Sequence, residues 1–78
     1  MGIFEKITKR EDIDIKEVKK GNRADVTVKV TDKDTGKENL CNVGLFSDGR
    51  KWTVEKREGH KKACDIADEE LEKRGFLD

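Results

Sequence analysis

His60 and Cys64 stand four residues apart, a spacing that puts two side chains on one face of a helix. A thiol near a helix N-terminus with an imidazole beside it is the raw material of a nucleophile. Cys41 and Ser47 are the other candidate nucleophiles, and His60 is the only imidazole in the chain. Catalysis needs a nucleophile, a base and a stabilising group that converge in a pocket. No P-loop, GxSxG or HExxH pattern occurs, and 78 residues leave little room for a pocket of roughly 300 Å³ or more. Cys64 adjoins an apolar helical stripe and reads as a small packing residue, while His60 reads as a solvated residue of the first helical turn. The expectation is a non-enzyme.

Metal and thiol chemistry fare no better. Asp32-Lys33-Asp34-Thr35-Gly36 has the spaced acids of a calcium loop but lacks the third ligand and the flanking helices, so turn formation explains it. Two cysteines and one histidine at these spacings make no zinc site, and there is no CxxC. Cys41 and Cys64 are expected to be reduced, buried thiols; a bridge from strand to helix is the minor alternative. No metal and no cofactor are expected.

Basic residues carry more information. Between Arg50 and Lys62 six Lys or Arg face only two acids, Glu55 and Glu58, whereas between Ala63 and Arg74 five acids face Lys73 and Arg74. Arg50, Lys51, Lys56, Arg57, His60, Lys61 and Lys62 therefore form the candidate binding patch. Lys61 and Lys62 at a helix N-terminus would add their charge to free backbone N–H groups, a favourable place for phosphate. The polar face of the sheet, with Thr27, Lys29, Thr31, Thr53 and Glu55, is the other candidate contact surface.

The elements that position these residues follow from periodicity. Val26, Val28 and Val30 alternate with Thr27, Lys29 and Thr31, the clearest strand pattern in the chain. Leu40 to Phe46 gives a second strand, with Cys41, Val43 and Leu45 in one phase. Asp48-Gly49 is a tight-turn signal, leading into a third strand over Lys51 to Arg57. Ile13 and Ile15 suggest a fourth, Asp12 to Val18, charged as an edge strand should be. For the first ten residues, Ile3, Phe4 and Ile7 favour a short helix over a strand. Ala63, Ile66, Ala67 and Leu71 recur at three and four, the mark of an amphipathic helix, with Asp65, Asp68, Glu69, Glu70 and Glu72 on its other face. Gly75 fits the left-handed C-cap, and Phe76 or Leu77 would fold back on the last turn.

The expected fold is α+β: a single domain over residues 1–78, with an antiparallel meander of three to four strands and the C-terminal helix packed on one face. Trp52, Val54, Val26, Val28, Val30, Val43, Leu45, Ile66, Ala67 and Leu71 are its expected core. The run Gly59-His60-Lys61-Lys62-Ala63, followed by Ile66, Ala67 and Leu71, is similar over about 20 residues to the final helix of double-stranded-RNA-binding domains. That resemblance implies duplex binding through the Lys pair, by contacts to phosphates and 2′-hydroxyls. The chain departs from that family in lacking its Gly-rich, Ser-Lys-Lys approach and in carrying five acids on the helix.

Charge limits the function classes. Eighteen Lys and Arg balance 18 Asp and Glu, so the net charge of zero gives no general attraction for nucleic acid. High charge without net charge, joined to clear periodicity, argues for a folded chain rather than a disordered one. No apolar run approaches the length of a membrane span, and Met1 to Arg10 lacks the apolar stretch of a secretory signal, so a soluble cytoplasmic protein is expected. The leading expectation is a small non-catalytic interaction or regulatory module with a protein partner; nucleic-acid binding through the Arg50–Lys62 corner is second. A domain of this size is stable by only about 3–5 kcal/mol. Leu71→Ala should therefore cost about 2–5 kcal/mol and leave the domain largely unfolded in a urea titration; a fully folded variant would exclude the helix docking.

Overall fold

The computed structural model describes residues 3–76. Its elements are β1 (Ile3–Arg10), β2 (Ile13–Lys20), β3 (Arg23–Thr31), β4 (Glu38–Ser47), β5 (Trp52–Gly59) and α1 (Lys61–Lys73). The five strands pair antiparallel in chain order, a pure meander, with α1 laid across one face. The α+β class and the helix agree with expectation; the strand number does not. A fifth strand, β1, stands where a short helix was expected. Ile3, Glu5 and Ile7 share one face of it, and the two-residue turn at Glu11 and Asp12, with Glu11 at φ 38°, folds it back on β2. An isolated helix of under ten residues is marginal in water, whereas a strand here completes a ladder of backbone hydrogen bonds.

Strand alternation sorts the side chains into two faces. Ile15, Ala24, Val26, Val28, Val30, Cys41, Val43 and Leu45 lie under the helix and are buried, with Ala63, Cys64, Ala67 and Leu71 meeting them from α1. Trp52, Val54 and Ile66 pack at the margin, half-buried rather than central. The opposite face is uncovered.

Two devices fix the helix to the sheet. At its C-terminal end, Gly75 takes φ 81° and the Schellman pattern forms: the Phe76 N–H donates to the Leu71 carbonyl (2.9 Å) and the Gly75 N–H to that of Glu72 (3.1 Å). Phe76 is thereby buried and meets Trp52 edge to face at 5.2 Å. Leu77, the other residue considered for this role, lies outside the described residues. At the N-terminal end, Gly59 sits at φ 139° directly against β4, where a Cβ would strike the Leu40 carbonyl and the Cys41 backbone. His60 follows as N-cap, its backbone N–H donating to the Leu40 carbonyl (2.9 Å) and its Nδ1 accepting from the Lys62 N–H (3.2 Å).

That close approach sets Cys64 over Cys41, and the two form a disulfide with Cα atoms 5.1 Å apart. The expectation of reduced thiols is corrected: both are buried as expected, but they are bridged. Register explains it, since Cys41 pairs with Gly59 and the helix begins two residues later. Closing a loop with a separation of 23 residues contributes about 3 kcal/mol by the chain-entropy argument. The double variant Cys41→Ala, Cys64→Ala should lose about that much in urea denaturation, and the unreduced wild type should show no reactive thiol after unfolding. Two titratable thiols in the unfolded, unreduced protein would refute the bridge.

Candidate functional site

The seven basic residues fall into separate groups. Arg50 and Lys51 lie in the β4–β5 turn, whose Asp48 accepts both of their backbone N–H groups (2.9 and 3.2 Å). Those bonds hold the Asp48 carboxyl below its usual range, as the Asp34 and Thr35 N–H groups do for Asp32. His60, Lys61 and Lys62 are at the far end of β5, roughly 25–30 Å away at the rise of an extended strand. Between them the strand alternates: Lys56 pairs with Gly44 on the uncovered face, whereas Arg57 pairs with Val43 on the helix side. Arg57 is occupied there by Asp68 (2.8 Å) and, more loosely, by Asp65 (3.9 Å), and Lys56 lies near Glu58 (3.7 Å). The structure brings His60, Lys61 and Lys62 together, and Arg50 with Lys51, but not all seven. His60 and Cys64 are both structural, one capping the helix and the other bridged to β4.

Two buried carboxylates were not expected. Glu70, assigned to the solvent face of the helix, is 6% exposed, and Glu17 on β2 is 4% exposed. Arg74 joins them, donating to Glu17 at 2.6 Å, to Glu70 at 3.4 Å and to the Thr8 hydroxyl at 3.0 Å. Arg10 closes the cluster on Glu70 at 2.7 Å. Thr8 and Arg10 are on β1 and Glu17 is on β2, so the cluster ties the first hairpin to the end of the helix. Glu70 is correctly paired only in three dimensions; no periodicity in one dimension separates it from Glu69 and Glu72.

The uncovered face then stands out. Ile3, Phe4, Ile7 and Leu40 are the large apolar side chains left exposed among the described residues, at 50–64%. Three of them, Ile3, Ile7 and Leu40, share the uncovered face by register. Ile7 and Leu40 border a shallow hollow of about 240 Å³ with Lys9, Asp14, Lys16, Thr27 and Lys29. Several of its polar members are partnered within the chain: Lys29 lies 3.0 Å from Glu38 and 3.6 Å from Asp14, and the bond to Glu38 raises its pKa above the usual lysine value. Asn42 donates to the Thr27 hydroxyl at 2.8 Å. Sequence reasoning noted this polar face but missed its apolar members; Leu40, out of phase with Cys41, Val43 and Leu45, was the available signal.

Comparisons with family models, with curated proteins and with solved structures found no match for this chain. The helix that double-stranded-RNA-binding domains place before their strands is the strand β1 here.

Arg74→Met should destabilise the fold by about 3–5 kcal/mol, because it leaves the buried Glu17 with only the looser Lys19 contact at 3.8 Å. Adding Glu17→Leu to that variant should recover much of the loss. Equal stability of the single and double variants in thermal or urea unfolding would show that the cluster is not a coupled unit.

Proposed function

We propose that this protein is a small non-catalytic interaction module that binds a protein partner through its uncovered sheet face, around Leu40 and Ile7. The observation that carries the reading is the placement of exposed apolar side chains. Helix α1 packs on one face, yet Ile3, Ile7 and Leu40 stay in solvent on the other, beside ion pairs formed within the chain. Such a mixture, apolar contacts inside a polar rim, is what a modest protein interface offers. The hollow is too open and too short of unpaired polar groups to orient a small substrate.

Nucleic-acid binding remains the second reading, and the basic residues support it less than their clustering in sequence implied. Arg57 faces acids of its own helix, and the Arg50 and Lys61 groups lie at opposite ends of β5. Among the described residues no helix is long and apolar enough to cross a membrane. Disulfides persist in oxidising compartments and are rare in the cytosol outside hyperthermophiles. The Cys41–Cys64 bridge therefore supports an oxidising setting over the cytoplasmic one expected from sequence.

The two readings separate by experiment. Leu40→Asp should leave the fold intact, since Leu40 is 53% exposed, and should abolish capture of a protein partner that survives nuclease treatment. In an NMR titration at low salt, duplex RNA should leave the Lys61 and Lys62 amides unmoved. Movement of those amides, lost steeply as salt rises, would replace the proposal with the second reading.

A further inference from the structure

The sheet has two edges, and they are built differently. β5 carries the run Glu55-Lys56-Arg57-Glu58 and a register shift opposite Gly44 and Leu45, both of which discourage another strand from pairing. β1 has neither. It runs eight residues in unbroken register with β2, every residue but Thr8 is exposed, and Ile3, Phe4 and Ile7 are among them. A regular, partly apolar edge of this length is a template for a further strand. We propose that β1 pairs antiparallel with β1 of a second copy, centred on Ile7, to form a continuous ten-stranded sheet.

The occupant follows from the residues themselves. In an antiparallel ladder each residue points its N–H and C=O to one side, and the side alternates along the strand. Two identical strands can therefore pair only residues of the same set, which places one residue on the two-fold axis. Centring on Glu5, Lys6, Lys9 or Arg10 sets that charge against its own copy. Centring on Thr8 opposes Lys6 to Arg10 and Glu5 to Glu11, while centring on Phe4 leaves too short an overlap. Only Ile7 avoids every clash. Ile7 then faces Ile7, Glu5 faces Lys9 twice, Lys6 faces Thr8 twice, and Phe4 faces Arg10, whose charge is held by Glu70, twice. Directly opposed pairs of this kind are the stabilising unit of a sheet, and like charges in the same positions are destabilising. The helix does not obstruct the contact, since it packs on β3, β4 and β5. This inference goes beyond the preceding reading: the two share Ile7, but the pairing uses the backbone edge of β1 and Leu40 takes no part in it.

Sedimentation equilibrium from micromolar to millimolar protein reads the outcome directly. The wild type should reach twice the 8.9 kDa chain mass. Glu5→Lys alone and Lys9→Glu alone should each raise the dissociation constant about tenfold or more, because each opposes like charges twice. The double variant Glu5→Lys, Lys9→Glu exchanges the charges and should restore the dimer. Both positions are exposed, so far-UV circular dichroism should show all variants folded. A wild type that stays monomeric throughout, a dimer that the single variants leave intact, or a double variant that fails to recover would each overturn the proposal. Leu40→Asp should dimerise like the wild type, which keeps this test separate from that of the binding face.

Discussion

A helix of 13 residues is about 20 Å long and, with side chains, about 10 Å wide; a sheet of five strands spaced about 4.8 Å apart is roughly 20 Å across before side chains are added. One such helix cannot cover both hairpins and the central strand. Coverage is the constraint from which the rest of the structure follows. α1 is pinned over β3, β4 and β5 by the Gly59 approach and the Cys41–Cys64 bridge, and there the core is wholly apolar. Toward β1 and β2 the helix edge runs out, and the contact changes from apolar packing to the Arg10–Glu70–Arg74–Glu17 cluster. Long guanidinium side chains reach across a gap that a Leu or Val would leave open. Among the described residues no buried side-chain polar atom lacks a partner, which is the condition for such a cluster to be tolerated.

The same constraint decides which residues are available for function. A strand under the helix spends its apolar side on the core, whereas a strand beyond its reach keeps that side in solvent. Phe4 lies on the helix side of β1, beyond the helix, and is 50% exposed with the Lys19 ammonium 5.8 Å from its ring. Lys19 also stands 4.8 Å from Phe76 and 6.0 Å from Trp52, so one cation bridges the margin of the core to the outlying strand. The exposed apolar surface is thus a consequence of geometry at the edge of a small layer, gathered on β1 and the adjoining face.

Local patterns were legible in the sequence to the extent that one element determines them. The valine alternation of β3, the Cys41, Val43, Leu45 phase of β4, the helix stripe and the Gly75 cap all rest on neighbours within a few residues, and all are present. β1 was misread because Ile3, Phe4 and Ile7 fit both periods; pairing with β2 selects between them, and pairing is not local. The disulfide ranked below reduced thiols for a related reason. Its two cysteines meet only because the register of β5 on β4 brings Gly59 opposite Cys41. The basic corner looked continuous because charge was counted along a chain that is extended there, so residues near in sequence lie on alternate faces or at opposite ends of one strand.

Charge balance takes on a different meaning once the pairs are seen in space. Many of the 18 cations stand beside anions brought to them by the fold. Lys29 sits between Asp14 and Glu38, Lys33 near Glu11 and Asp12, and Arg57 near Asp65 and Asp68. Exposed pairs of this kind contribute little to stability one by one, but each cancels much of its own charge beyond a Debye length of about 8 Å. What such a surface can still discriminate is alignment at contact, where a shift of one register step exchanges attraction for repulsion along a strand. A highly charged edge therefore acts as a short-range reader of register, and β1, with acid, base and apolar residues interleaved on its open ladder, is the element of this fold with that property.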